Sequence, residues 1–92
     1  MFFKNNINDS IINIIMYTSE SIKSAIEKGL KNAHVEVKNP RNDNEHFIAY
    51  VEYEGFKDKN LVEQHRMVYD LLKNEFGEGL HSLSLKTKIK NE

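Results

Sequence analysis

The fold is decided by one stretch, residues 60–76, which reads NLVEQHRMVYDLLKNEF. Asn60 is a predicted helix N-cap, and Glu63 stands where a capping-box side chain reaches back to the cap. The predicted buried stripe, flanked by Val62 and Tyr69, follows helical spacing and consists of Leu61, His65, Val68, Leu72 and Phe76. Gly77 and Gly79 then stop the pattern. The stretch therefore predicts an amphipathic helix that ends at about Phe76.

Strands are predicted on both sides of this helix. Residues 46–53 (HFIAYVEY) are rich in β-branched and aromatic residues, and the face predicted to be buried holds Phe47, Ala49, Val51 and Tyr53. Residues 80–87 (LHSLSLKT) alternate again, and the Lys-rich end after them is expected to fray. A helix of this length between two strands permits a crossover connection.

The first half of the chain supplies another helix and another strand. Thr18 or Ser19 caps a helix of about four turns whose stripe is Ile22, Ala25, Ile26, Gly29, Leu30 and Ala33. Gly29 is expected to let this helix pack closely against a sheet. Residues 35–37 (VEV) read as a short strand, and the turn-rich residues 38–44 connect it to the next strand as a hairpin. The predicted order is α-β-β-α-β, an α/β (α+β) fold with both helices on one face of a three-stranded sheet.

Residues 1–16 (MFFKNNINDSIINIIM) differ from the rest because Asn, Ile and Phe dominate them. They lack the arginines of a mitochondrial presequence and the long apolar run of a secretory signal. We expect a flexible or loosely packed extension before a single domain at residues 17–92, and Met16 could serve as a second start site. The apolar cluster Ile11–Met16 contains Asn13 and is too short to span a bilayer, so no membrane association is expected.

The composition excludes several kinds of site. The net charge of −1 argues against an electrostatic nucleic-acid binder, since phosphate contacts need a basic excess. The absence of cysteine removes disulfides, thiolate nucleophiles and Cys-based metal sites. No GxSxG, HExxH or phosphate-binding glycine loop is present, so an enzyme is not expected. The excess of Lys over Arg and the many Asn residues are read as a coding bias with little functional meaning.

The four histidines are the most versatile side chains. His34 is expected at the surface, and His81 shares the alternation of a strand, which favours a packed and hydrogen-bonded ring. His46 begins a strand beside a flexible loop, where it could reach a ligand. His65 occupies a stripe position where an aliphatic residue would pack better, and periodicity alone favours a satisfied core residue over a ligand.

The segment VEQHRMVY at residues 62–69, followed by LHSLSLKT at residues 80–87, closely resembles the BolA family. HFI at residues 46–48 is similar to the family's second strand start, and VEV at residues 35–37 to its first strand. Gly55 and Phe56 fall in its turn region, although here the glycine precedes the phenylalanine. The resemblance covers about residues 18–88 and implies a class II KH-like fold.

The resemblance also implies a function. BolA-like proteins form heterodimers with monothiol glutaredoxins and share a [2Fe–2S] cluster, for which the glutaredoxin and glutathione supply thiolates. Position 65 then supplies a helix imidazole, and the first hairpin supplies a second ligand. Residues 41–44 contain no cysteine, so that ligand is His46, an oxygen or nitrogen donor such as Asp43, or a group from outside the chain; His46 is favoured. Asp43, Arg66 and His81 are the expected contacts to the partner.

These implications define a role and its alternatives. The expected role is iron–sulfur cluster trafficking, or sensing of iron and redox state, by a protein that is monomeric when free and cytoplasmic, with nuclear or mitochondrial alternatives. A nucleic-acid-binding or transcriptional role is the main rival, but no GxxG loop is present. A module that binds glutaredoxin without iron is the third hypothesis.

Overall fold

The structure is a computed structural model that describes residues 17–77 and 82–91. Two helices and three strands follow one another in the predicted α-β-β-α-β order, which confirms the fold class. Their bounds are Ser19–Gly29 (α1), His34–Lys38 (β1), Phe47–Tyr53 (β2), Leu61–Phe76 (α2) and Leu83–Ile89 (β3), with a 3₁₀ turn at Glu54–Phe56 after β2. Residues 1–16, for which an extension is expected, lie outside the described residues.

Both helices begin at side-chain caps. The backbone N–H of Ser21 donates to Thr18 Oγ1 at 3.0 Å, so Thr18 is the cap of α1. At the start of α2, the Glu63 N–H donates to Asn60 Oδ1 at 2.8 Å, and the Asn60 N–H donates to Glu63 Oε1 at 3.0 Å. This reciprocal pair confirms the predicted capping box.

The sheet is mixed, with the strand order β1-β2-β3. β1 and β2 are antiparallel neighbours, in register at Val35 and Val51. β2 and β3 are parallel, with Phe47 opposite Leu83 and Tyr53 opposite Ile89. Because parallel neighbours need a crossover, α2 runs back along the sheet between them.

The core lies between the two helices and one face of the sheet. Its buried residues are Tyr17, Ile22, Ala25, Ile26, Leu30, Val35, Phe47, Ala49, Val51, Phe56, Val68, Leu72 and Leu83. Alternate β2 residues thus point inward as predicted, whereas Ile48 is exposed on the other face. Tyr17 packs edge-on against the ring of Phe76 at the end of α2, with 5.3 Å between the ring centroids.

Helix α1 departs from the prediction in its length and in its contact. It ends at Gly29, so it is shorter than four turns, and Leu30 caps it by donating its N–H to Ile26 O. Gly29 faces helix α2 and not the sheet. A Cβ built at this position would lie 2.3 Å from Leu71 Cδ2, so the missing side chain permits the approach of the two helices.

The buried face of α2 is rotated relative to the predicted stripe. Leu61 is 59% exposed, whereas Gln64 is buried. Gln64 fits there because its amide is satisfied: Nε2 donates to Lys59 O at 2.9 Å, and Oε1 accepts from Thr87 Oγ1 at 2.6 Å.

Strand β3 continues further than predicted. Among the described residues it spans Leu83–Ile89, so Lys88 belongs to a paired strand and not to a frayed end, while Lys86 lies in the strand as predicted. Lys90 is held as well, since its N–H donates to Tyr53 O and its Nζ donates to Asn32 O.

Candidate metal site in the hairpin loop

The loop between β1 and β2 is organised by the side chain of Asn39. Its Nδ2 donates to His46 O at 2.6 Å and to Asp43 Oδ1 at 3.2 Å. Its Oδ1 accepts from the N–H of Asn44 at 3.0 Å. Asn42 and Asn44 adopt positive φ angles of 54° and 55°, which asparagine tolerates better than most residues. The loop therefore has a defined shape at its base.

The carboxylate of Asp43 accepts hydrogen bonds from the residues that follow it in the loop. Its Oδ1 accepts from the backbone N–H groups of Glu45 at 2.9 Å and His46 at 3.0 Å. Its Oδ2 lies 2.7 Å from Nδ1 of the His46 ring. These hydrogen bonds, foremost those from the backbone of His46 and Glu45, hold the pKa of Asp43 well below its usual range.

The contact with Asp43 fixes the orientation of His46. A carboxylate acceptor at Nδ1 favours the tautomer that carries its proton there, which leaves the lone pair of Nε2 free. The His46 side chain is 40% exposed, so the ring has a fixed orientation and is still accessible from solvent. Metal-binding histidines are commonly oriented by a carboxylate in this way.

Ligand atoms of Asp43, Glu45 and His46 lie within 4.8 Å of one another. Carboxylate oxygens suit hard cations, whereas imidazole suits iron, copper and zinc. Both oxygens of Asp43 already accept hydrogen bonds within the loop, so Asp43 is better suited to orient His46 than to bind a metal itself. This geometry favours His46 among the hairpin donors that the sequence leaves open.

His65 lies in a different environment. Its ring is half-buried in α2, and its Nε2 is shielded from solvent with no hydrogen-bond partner in the described part of the chain. An unpaired buried ring nitrogen is costly, and it is one of the signs by which a ligand position is recognised. Arg66 follows on the exposed side of the helix.

The structure does not bring His65 next to His46. Gln64, the neighbour of His65, bonds to Thr87, while Phe47, the neighbour of His46, is level with Leu83. Four strand residues from Leu83 to Thr87 correspond to about 13 Å along the sheet. The neighbours of the two histidines thus lie at different levels of the sheet, and His65 is not part of the cluster of possible ligand atoms around His46.

The remaining predicted residues have varied outcomes. His34 is exposed as expected, and its Nε2 lies 3.0 Å from Glu36 Oε2. His81 lies outside the described residues, so its predicted packing and its contact to a partner stay predictions. The sequence does not single out Asn39, because asparagine is frequent throughout this chain, although an Asn at the start of a turn-rich loop is a recognised local signal.

Comparison with known proteins identifies relatives of the chain. The family model described as BolA-like protein matches residues 18–92. Protein BOLA1, chloroplastic, from Arabidopsis thaliana is 41% identical over 59 residues, or 64% of this chain. SufE-like protein 1, chloroplastic/mitochondrial, from the same plant is 43% identical over 47 residues, or 51% of this chain. The chain spans 37% and 13% of the lengths of these two relatives.

A solved structure has the same architecture. The BolA protein homologue from Coxiella burnetii superposes with a TM-score of 0.68 at 35% identity, covering 80% of this chain and 92% of that one. Within residues 17–77 and 82–91, neither helix has the length and apolar character needed to cross a bilayer.

Proposed function

Because this chain belongs to the BolA-like family, we propose that it is a non-enzymatic partner of a monothiol glutaredoxin. In this proposal it contributes an imidazole ligand to a [2Fe–2S] cluster that the glutaredoxin and glutathione also bind. The SufE-like relative is consistent with a role connected to iron–sulfur chemistry. The role that follows is transfer of clusters or sensing of iron and redox state.

The observation that carries the proposal is the orientation of His46 by Asp43. The 2.7 Å contact at Nδ1 leaves Nε2 as the metal-binding atom, on an exposed loop that a partner protein can approach. A thiolate is the usual ligand of such clusters, and imidazole in its place raises the reduction potential. Imidazole ligation also becomes pH-dependent, because protonation of the ring competes with the metal.

His65 is the helix imidazole that the family resemblance assigns to the cluster, and its unpaired Nε2 supports a ligand role. His65 is not among the ligand atoms clustered around His46, so the second ligand has to be tested at more than one position. His81 is the other imidazole to be considered, since it immediately precedes Ser82, whose carbonyl accepts the Phe47 N–H. The proposal therefore assigns the first ligand to His46 and tests His65 and His81 for the second.

The test is reconstitution with a monothiol glutaredoxin, iron, sulfide and glutathione, followed by visible absorption and circular dichroism. The wild-type mixture is expected to form a heterodimer with a spectrum different from that of the glutaredoxin alone. His46→Ala is expected to lose that spectrum. His34→Ala is the matched control, because His34 is exposed at the start of β1 and its side chain interacts with Glu36 and the ring of Tyr50 instead of the hairpin loop.

The variants separate the function from the ligand assignment. A wild-type spectrum identical to that of the glutaredoxin alone would overturn the shared cluster. If His46→Ala behaves as wild type while His65→Ala or His81→Ala does not, the ligand assignment fails and the function stands. A heterodimer that forms equally well without iron would support the metal-free binding module.

The alternative class and the compartment are tested separately. Retention on a DNA or RNA column at physiological salt would favour a nucleic-acid-binding role, against which the net charge of −1 argues. The proposed compartment is the cytosol, with the nucleus or the mitochondrion as alternatives. The organelle names of the plant relatives apply to those proteins.

A further inference from the structure

A cleft of about 460 Å³ opens beside His46, at the end of the sheet where β2 and β3 begin. Its lining residues are Pro40, Arg41, His46, Phe47, Ile48, Ser82, Leu83 and Ser84. The volume falls within the range of about 300–1,000 Å³ that is usual for small-ligand sites. The cleft is therefore large enough for a peptide of a few residues but not for a folded partner.

The polar groups in this cleft favour a carboxylate. The guanidinium of Arg41 and the hydroxyls of Ser82 and Ser84 can all donate hydrogen bonds, and none of the described lining residues carries a carboxylate. Asp43 approaches His46, but its negative charge is already bound by N–H groups of the loop. By contrast, the cleft beside α1 is lined by Glu20 and Glu36 as well as by lysines.

Arg41 is the group that gives the cleft its charge. Arginine binds a carboxylate through two parallel N–H donors, a geometry that lysine does not offer. Arg41 forms no ion pair or hydrogen bond with the described part of the chain, so its guanidinium is available to a ligand.

We propose that this cleft binds a carboxylate of the thiol peptide that accompanies the cluster, with Arg41 as the principal donor and Ser82 and Ser84 as additional ones. This inference rests on the proposed function, in which glutathione supplies a thiolate next to His46. Glutathione carries two carboxylates on a short backbone, so its sulfur can reach a metal at His46 while a carboxylate lies against Arg41. The apolar surfaces of Pro40 and Ile48 accommodate the rest of the peptide.

The inference is tested without iron and without glutaredoxin. The full chain, labelled with ¹⁵N, is titrated with reduced glutathione and, separately, with its diethyl ester, in which both carboxylates are blocked. Glutathione is expected to shift the amide signals of Ile48, Ser82 and Ser84, and the ester is expected to leave them in place.

Two substitutions with the same change of charge give the comparison. Arg41→Gln should weaken glutathione binding by about tenfold, as expected from loss of a charge-assisted pair. Lys57→Gln, at an exposed position that does not line this cleft, should bind as the wild type does.

Three results would overturn the inference: no glutathione binding by the wild type at millimolar concentration, equal binding of the ester, or equal binding by Arg41→Gln. None of these results bears on the shared cluster, which the reconstitution with glutaredoxin tests separately. Conversely, if His46→Ala fails to alter the cluster spectrum while Arg41→Gln still weakens glutathione binding, the cleft stands and the ligand assignment fails.

Discussion

At the scale of single residues, the contact between Asp43 and His46 makes a prediction about a proton. Asp43 Oδ2 accepts from Nδ1, so the neutral ring of His46 should carry its proton on Nδ1. Asp43→Ala removes the acceptor, and the ring should then populate both tautomers. Long-range ¹H–¹⁵N NMR of the imidazole measures the two populations.

Glu45→Ala is the control for this measurement. Its side chain accepts no hydrogen bond from the described residues, while its backbone N–H still donates to Asp43. The Nδ1 proton should therefore persist in this variant. A wild-type ring with its proton mainly on Nε2 would contradict the assignment of Nε2 as the ligand atom.

A second residue-scale prediction concerns the open face of the sheet. The hydroxyl of Tyr50 donates to the carboxylate of Glu52, which raises the pKa of Tyr50 together with burial and the charges of Glu52 and Glu36. Because the folded pKa is raised, this hydrogen bond stabilises the fold below the ordinary tyrosine pKa of about 10. The stabilisation is lost as the pH rises through the raised value.

The difference in tyrosinate absorbance between the wild type and Tyr50→Phe isolates the titration of Tyr50. It should occur above the ordinary range in the wild type and move down in Glu52→Gln. Titration of Tyr50 below the ordinary tyrosine pKa would show that the hydrogen bond is absent in solution.

Single residues of the candidate site differed in how well the sequence identified them. His46 is predicted as a candidate because it lies beside a turn-rich loop, and its 40% exposed side chain agrees with that position, while its ligand role stays a prediction. The role of Asn39 depends on three partners up to seven positions away, which no local pattern specifies. The unpaired Nε2 of His65 likewise depends on what surrounds the ring, so periodicity could place the residue but not its environment.

At the scale of elements, Gln64 joins α2 to β3. Gln64→Leu removes both hydrogen bonds and leaves the Lys59 carbonyl and the Thr87 hydroxyl without partners. An unsatisfied buried group costs about 1–3 kcal/mol. Lys59 is exposed and Thr87 only partly buried, so the free energy of unfolding measured in urea should fall by about 1–3 kcal/mol for the two groups together.

Thr87→Val provides the second side of a double-mutant cycle. Removing both partners restores an apolar contact, so the double variant should lose less stability than the sum of the two single variants. Additive losses would show that the two side chains do not interact in solution.

The contact between the two helices yields a further prediction at this scale. Gly29→Ala would gain helix propensity of up to about 1 kcal/mol, but the new methyl collides with Leu71. Little net stabilisation is therefore expected in the wild-type background. In a Leu71→Ala background the methyl has room, and the same substitution should increase the thermal midpoint. Equal effects in both backgrounds would contradict the close contact.

The elements show which boundaries a sequence specifies. The starts of both helices were predicted correctly because a cap is made by residues three positions apart. The rotation of α2 about its axis was not predicted correctly. A buried face that includes Leu61 and one that includes Gln64 both contain Val68 and Leu72, so the spacing does not distinguish them. The choice between the two depends on Thr87, which is distant in sequence. The end of strand β3 was predicted too early for a similar reason, because its extension to Ile89 is set by pairing with β2.

At the scale of the whole molecule, the described domain should not need the first residues of the chain. Tyr17 is buried against Phe76, and Thr18 caps α1, so both residues belong to the described packed structure. A chain that starts at Met16 should unfold at the same urea midpoint as the full chain.

A chain that starts at Thr18 is the matched comparison. It keeps the cap but loses the Tyr17 ring, and truncation of a buried aromatic side chain typically costs about 3 kcal/mol or more. Its urea midpoint should fall clearly below that of the chain from Met16. A loss of stability already in the Met16 chain would show that residues 1–15 belong to the domain.

The parallel pairing of β2 and β3 also has a consequence for the rate of folding. The residues that meet, such as Phe47 and Leu83, are separated by the whole of α2, whereas the β1–β2 hairpin is closed by one short loop. Contacts distant in sequence bear a larger loop-closure entropy and tend to slow folding. We therefore expect the hairpin to form first and β3 to dock late. Substitutions in β3 should then accelerate unfolding while leaving the folding rate nearly constant.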